Sequence, residues 1–232
     1  MYIKNFITLL KRYTTSSLLN IIGMSVAFAA IYLISVQVRY DLSYDKVIPN
    51  SENIYRLESP NRYEEGKWSY HWNRQWPDEM CSGVPEIEAS GSIWIYAADA
   101  VDFSIKRNQT LDNLKIVMSS AEPEGLEVFP FEFVEGGLEE FRPAKGIIIS
   151  EEIAKKYNLK VGDFLTVGRG LESGYELNIV GIFKNFPEPS NISACEGWIN
   201  MGSQQNAQIN NFNDPYYVRL NEGASHVEVE KK

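Results

Sequence analysis

Residues 13–38 carry no charge, with Lys11 and Arg12 before them and Arg39 after. From 18 to 38 the stretch is dominated by Leu, Ile, Val, Ala, Met and Phe. At 1.5 Å rise per residue, about 20 apolar residues cross the ~30 Å hydrocarbon core of a bilayer. The pattern predicts a transmembrane helix over 17–39. Ahead of it, Tyr2, Ile3, Phe6, Ile7, Leu9 and Leu10 recur at helical spacing. That spacing predicts an amphipathic helix on the inner membrane face within 1–16. Ala27-Phe28-Ala29 has the form of a signal-peptide cleavage site. The apolar run continues about two turns beyond it, and the basic segment in front is long and patterned, so an uncleaved anchor is expected. Asn20, Ser25 and Gln37 are polar but uncharged; they either contact other transmembrane helices or are simply tolerated in the span.

Beyond residue 40 the pattern shortens and alternates. A strand is predicted over 53–59, through Ile54, Tyr55 and Leu57. Residues 61–76 are polar and aromatic with no clean period. Pro77-Asp78-Glu79-Met80 predicts a helix start, ending near Gly83 ahead of Pro85. Strands are predicted over 90–96, 101–106 and 114–119, and a short helix or core-packed loop over 125–137. A clearer pattern follows: a strand at 146–149, Ser150 as N-cap, Glu151 and Glu152 in the first helical turn, and Lys155 and Lys156 in the last. Val161-Gly162-Asp163 turns into a strand at 164–167. A hairpin loop at 168–174 leads to a second strand at 175–183, with Leu177, Ile179 and Gly181 on one side. Pro187 and Pro189 mark an exit from this unit over 185–191. A last strand at 216–220 precedes the Glu222-Gly223-Ala224 turn and the start of a helix at 228–232. The fold class is α+β with a mixed sheet, and a small β-rich lobe is expected as an insertion at about 138–190.

Charge orients the chain. The first 39 residues hold Lys4, Lys11, Arg12 and Arg39 and no acid, which leaves 18 basic against 31 acidic residues for the rest, a net of −13. Basic flanks stay in the cytoplasm, so the N-terminus is expected inside and the acidic body outside. An acidic body argues against nucleic-acid binding and against tight docking on anionic lipid. Residues 40–232 are enough to bury a substantial core. Cys81 and Cys195 could pair in an oxidising compartment or remain buried thiols.

Candidate chemistry is sparse. The chain has no Gly-x-x-x-x-Gly-Lys-Ser/Thr loop, no Gly-x-Ser-x-Gly elbow, no Cys-x-x-Cys and no Cys/His cluster. His71 has no partner in sequence that would make it a base, and His226 lies near the C-terminus. The acid pairs Glu64-Glu65, Glu139-Glu140 and Glu151-Glu152 fall in loops or helix starts, where solvation explains them. No catalytic, cofactor-binding or metal-binding residue is assigned. The most unusual local feature is the series Trp68, Tyr70, Trp72 and Trp76. Alternation would put the first three on one strand face, buried as core or presented to a ligand or partner.

Several segments taken in order carry a family resemblance. They are Asn20-Ile21-Ile22-Gly23-Met24-Ser25, Leu42-Ser43-Tyr44-Asp45 and Asn50-Ser51-Glu52-Asn53-Ile54-Tyr55-Arg56-Leu57. Ile149-Ser150-Glu151-Glu152-Ile153-Ala154-Lys155-Lys156, Val180-Gly181-Ile182-Phe183-Lys184-Asn185-Phe186-Pro187 and Tyr216-Tyr217-Val218-Arg219-Leu220 follow. With the preceding helix, they resemble the MacB-like periplasmic core domain of FtsX-like ABC transporter permeases. The resemblance implies a transmembrane helix followed by a two-lobed periplasmic domain: an α+β porter-like lobe and a smaller β-rich insertion. It implies no chemistry in this domain. A separate cytoplasmic ATPase would hydrolyse ATP, and its movement would reach a periplasmic part that acts on lipoproteins, peptides, toxins or cell-wall enzymes. The implied partners are that ATPase, membrane lipid and a second permease copy, in the inner (plasma) membrane. Such permeases carry further transmembrane helices after this domain. Residues 40–232 are therefore expected to be a C-terminally incomplete core domain, from a longer permease or a truncated relative. Two other readings fit the same residues: a single-anchor extracytoplasmic binding or sensor module using the tryptophan series, and an anchored hydrolase whose groups converge only in space.

Overall fold

The computed structural model describes residues 8, 12–61, 63–73, 75–95, 99–107, 110–143, 146–168, 176–201 and 215–231. It divides into two compact units, Met1–Tyr44 and Asp45–Lys232. Among the described residues the first is built on the long helix α1 (Thr14–Ser43), which has no buried residue. Its 30 residues extend about 45 Å at the helical rise, more than the apolar run alone required. Three polar side chains inside it are answered within the helix, two of them when Ser25 and Ser35 donate to the carbonyls of Ile21 and Ile31, each at 2.7 Å. Gln37 donates to the Asp41 carboxylate at 2.8 Å. Hydrocarbon offers no water to such groups, so internal partners are what a spanning helix needs. Of the amphipathic segment expected over 1–16, residues 1–7 and 9–11, which include all its apolar positions named above, lie outside the described residues.

The second unit contains two main sheets. The smaller has strand β1 (Ile54–Arg56) and strand β4 (Ile87–Ser92) on either side of β12 (Tyr216–Leu220), all antiparallel. Strand β12 is buried on both faces. Tyr216, Val218 and Leu220 pack with Leu57, Trp72, Cys81, Ile87 and Val229. On the opposite side Tyr217 meets Phe129 edge-on at 5.5 Å. There Arg219 donates to the carbonyls of Glu127 and Val128 at 2.6 and 2.9 Å. Those carbonyls end helix α3 (Pro123–Val128), so a guanidinium serves the C-terminal pole of the helix. Helix α2 (Gln75–Cys81) lies between β1 and β4 in sequence, as does a two-stranded ribbon of β2 (Ser59–Pro60) and β3 (Trp68–Ser69).

The larger sheet runs β7 (Phe133–Gly136), β10 (Glu176–Phe183), β8 (Gly146–Ser150), β11 (Gly197–Asn200), β6 (Thr110–Ala121), β5 (Asp99–Arg107), β9 (Phe164–Val167). Strand β9 pairs back onto β10, so six strands close on themselves and β7 extends the free half of β10. Closure removes exposed edges, which an open β-rich lobe would leave available for aggregation. The strands expected as a lobe over 138–190 thus share their sheet with Asp99–Ala121 and Gly197–Asn200. The reason is pairing at long sequence distance: β8 bonds to β11, and β9 bonds to β5. Ile147, Ile149, Leu165, Leu177, Ile179, Phe103, Leu114 and Ile116 fill one core on this sheet.

Alternation along β8 explains a second core. Ile148 points away from Ile147 and Ile149, into a cluster with Trp198, Phe183, Phe141, Leu126, Ile93 and Ile48. This cluster also contains Tyr217 of the smaller sheet, so one apolar layer fastens the two sheets together. The sheets meet again through the backbone, where Ile93 bridges Ala121 and Trp94 donates to the Ser120 carbonyl at 2.9 Å. Helix α4 (Leu138–Phe141) contributes Phe141 to that layer. Arg142 beyond it bonds to Glu124, Glu127 and Glu139, tying α4 to α3. Helix α5 (Glu151–Tyr157) follows the expected capping pattern. Ser150 accepts from the Ile153 amide at 3.3 Å, and Asn158 closes the helix in the left-handed region at φ 51°. The final helix, α6 (His226–Val229), starts two residues before the predicted start.

Candidate functional site

The Trp68–Trp76 series divides into a buried and an exposed part. The β2–β3 ribbon is short: Ser59 faces Ser69 and Pro60 faces Trp68. The Asn61 amide donates to the Lys67 carbonyl at 2.8 Å and the Lys67 amide to Glu64 at 3.2 Å, which holds the loop between them. A lone two-stranded ribbon is marginal in water, so its anchorage comes from the chain that follows. Trp72 supplies it, donating its indole N–H to the Leu57 carbonyl at 3.0 Å while its ring packs against the Tyr216, Val218 and Leu220 cluster. Tyr70 carries the Arg56 guanidinium 4.5 Å above its ring and has the His71 ring 4.2 Å away, tilted by 38°. Arg56 also pairs with Glu58, so its charge is shared between a carboxylate and a ring face.

Trp68 and Trp76, by contrast, are 63% and 51% exposed. Tyr63 and Met80 join them on the surface; the latter lies four residues from Trp76, on the same face of α2. The sequence reading singled out the tryptophans but neither Tyr63 nor Met80. A lone tyrosine in a polar loop and a methionine in a short helix give no periodic signal. Of the three expected on a single face, Trp72 packs into the β12 cluster while Trp68 is exposed, and the strand itself ends at Ser69.

Below this surface, α2 is pinned to β12. The Tyr216 hydroxyl donates to the Asp78 carboxylate at 2.5 Å, with the Ser90 hydroxyl 3.3 Å away. Burial, and then Asp78, hold the Tyr216 phenol far above its ordinary range. Burial also raises the Cys81 thiol, chiefly by excluding water. Burial alone pushes the Cys195 thiol to about 12. Both cysteines are free, and they occupy different cores. These shifts favour the uncharged forms, the opposite of what activates a nucleophile. Among the described residues no three His, Cys, Asp or Glu side chains gather in a way that could hold a metal ion. His71 and His226 each lie against an aromatic ring, Tyr70 and Tyr55 respectively.

The raised thiols predict alkaline sensitivity. In the unfolded chain Cys195 ionises from its ordinary value of 9.0 upward, whereas in the fold it keeps its proton to about 12. Stability contributed by the neutral thiol is therefore intact below pH 9 and declines between about 9 and 12, at up to about 1.4 kcal/mol per pH unit. Urea midpoints measured from pH 8 to 11 should fall, and Cys195→Ala should fall less steeply from its own pH 8 value. Equal slopes for the two proteins would contradict the buried, neutral thiol.

Comparison with known proteins follows the fold. A crystallised domain of a Porphyromonas gingivalis protein described as a permease superposes with a TM-score of 0.61 at 19% identity, over 79% of this chain and 82% of that one. The periplasmic region of MacB from Actinobacillus actinomycetemcomitans superposes with a TM-score of 0.53 at 9% identity, over 81% of this chain and 85% of that one. At such identities the likeness establishes the fold alone. No curated protein sequence matches. The MacB-like periplasmic core domain family, however, matches residues 17–232, helix and body together, and the chain belongs to that family.

Proposed function

We propose that this chain is the anchored, extracytoplasmic part of an ABC permease that passes conformational work from a cytoplasmic ATPase to a peptide, lipoprotein or toxin outside the membrane. Its family is a component of ABC transporter permeases, not a catalytic enzyme in its own right. The observation carrying the reading is the combination of one long apolar helix with an α+β body whose family match runs through both. The same pair supports placement in the inner membrane. The basic flank of α1 and the net charge of −13 on the remainder support an N-terminus in the cytoplasm.

A second reading, a binding or sensor module with a single anchor, is favoured by the exposed Tyr63, Trp68, Trp76 and Met80. One experiment separates the two. The tagged chain, expressed with its native gene neighbours, is purified in mild detergent, and co-purifying proteins are identified. Recovery of an ATPase bearing a Gly-x-x-x-x-Gly-Lys-Ser/Thr loop, unchanged by Trp68→Ala/Trp76→Ala, supports the permease. Recovery of no ATPase, with an extracytoplasmic protein lost in the double variant, overturns it in favour of the sensor.

A further inference from the structure

The second unit receives its chain at Asp45, and that residue is held from three directions. Its backbone N–H donates to the Pro189 carbonyl at 2.9 Å. One carboxylate oxygen accepts the Asn191 backbone N–H at 2.7 Å, and the other accepts the Asn191 side-chain amide at 2.6 Å. Asp45 stands in the left-handed region at φ 61°. Glycine would meet that backbone requirement more easily, so the backbone alone does not account for an aspartate here; the carboxylate does. Three residues on, Ile48 is buried in the same core as Ile192, just past Asn191. The incoming segment and the 187–191 loop are thus bonded at the surface and packed beneath it.

The loop that takes hold of Asp45 is itself fastened at its other end. The Lys184 amide donates to the Glu132 carbonyl at 2.8 Å, just ahead of β7. The Asn185 side-chain oxygen accepts the Glu152 amide at 3.2 Å, and its NH2 donates to the Glu152 carboxylate at 3.1 Å. Glu152 lies in the first turn of α5, where amides have no partner inside the helix. Ser190 braces the middle, donating to the Pro187 carbonyl at 2.8 Å and accepting the Ser193 amide at 3.3 Å. Two segments of the second unit far apart in sequence, one beginning at Asp45 and the other spanning Lys184 to Asn191, therefore meet as one bonded piece.

We propose that Asp45 and the 184–191 loop form a strut that carries displacement of the incoming chain to the first turn of α5 and to the C-terminal end of β10. Its use in transport rests on the permease reading; the bonded path does not. Charge assists the bonds at both ends, through the Asp45 carboxylate at one and the Glu152 carboxylate at the other.

Amide hydrogen exchange, resolved by residue, tests this on the full chain in detergent. The proteins are wild type, Asp45→Gly and Asn185→Ala. Asp45→Gly suits the left-handed backbone while removing the carboxylate. In it, Asn191 amide exchange should accelerate about 10–100-fold, as expected for loss of a hydrogen bond to a charged group. The Glu152 amide should accelerate with it. In Asn185→Ala, only the Glu152 amide should respond. Protected Ile147–Ile149 amides in each variant show that the fold is intact. Should Asp45→Gly expose those as well, Asp45→Asn gives the same comparison with a side chain that also tolerates positive φ. An unchanged Asn191 amide overturns the latch. An accelerated Asn191 amide beside an unchanged Glu152 amide overturns the transmission. A chain that gives the expected pattern and binds no ATPase keeps the strut and refutes the permease reading, so the two fail separately.

Discussion

Replacing Gly125 with alanine will lower the melting temperature of this chain by roughly 6–12 °C, from an overpacking cost of about 3 kcal/mol. Helix α3 crosses β4 backbone against backbone at this point. A Cβ on Gly125 would lie 2.1 Å from the Ser92 carbonyl oxygen, and one on Gly91 would lie 2.3 Å from the Gly125 nitrogen. Neither obstacle is the end of a flexible side chain, so relief requires α3 to move off the sheet. Such a movement would separate the Glu127 and Val128 carbonyls from Arg219 and draw Leu126 and Val128 out of the shared core. Gly91→Ala should behave alike. Gly137→Ala is the control, because its Cβ would meet only the end of the Glu140 side chain, at 3.3 Å, and should change stability by less than about 0.5 kcal/mol. Calorimetric melting of the three variants decides the matter, and a Gly125→Ala protein melting within a degree of wild type would refute the close crossing.

Trp198→Ala is the second large effect, expected to cost about 3–5 kcal/mol. Trp198 is fully buried on β11. Phe131 and Phe183 lie against it at 5.2 and 5.3 Å between ring centroids, and its indole N–H reaches the Trp94 carbonyl at 3.4 Å. Truncation would leave a cavity of about an indole's volume in the layer that joins the two sheets, where close packing limits how far neighbours can relax. Trp198→Phe should cost less than half as much. Fluorescence gives an independent check: iodide should quench the Trp68 and Trp76 emission in wild type and leave a blue-shifted component carried by Trp198 together with the half-buried Trp72 and Trp94, which Trp198→Phe should diminish. An undiminished component in Trp198→Phe would contradict the burial of Trp198.

The structure separates residues that the sequence presents as alike. Trp68, Trp72 and Trp76 form one aromatic series when read along the chain, but only Trp72 reaches the β12 cluster. Which of them is covered depends on where the ribbon ends, a matter of turn geometry and of a partner strand about 150 residues away. Glu151, Glu152, Lys155 and Lys156 were legible because capping and dipole effects operate within one turn of helix. Asp45 was visible in a motif and Asn191 only as the end of the two-proline segment 185–191, and nothing local to either indicated that they would meet.

The sequence by itself determined the apolar span of α1, the acidic body behind a basic flank, the capped helix after β8 and the family resemblance. Each depends on neighbouring residues or on composition, which need no fold to be read. The tertiary structure decided the closure of the larger sheet through β9, the crossing at Gly91 and Gly125, the division of the tryptophans and the Asp45 latch. These depend on contacts between distant segments, whose loop-closure cost is offset only when both sheets and their shared core form together.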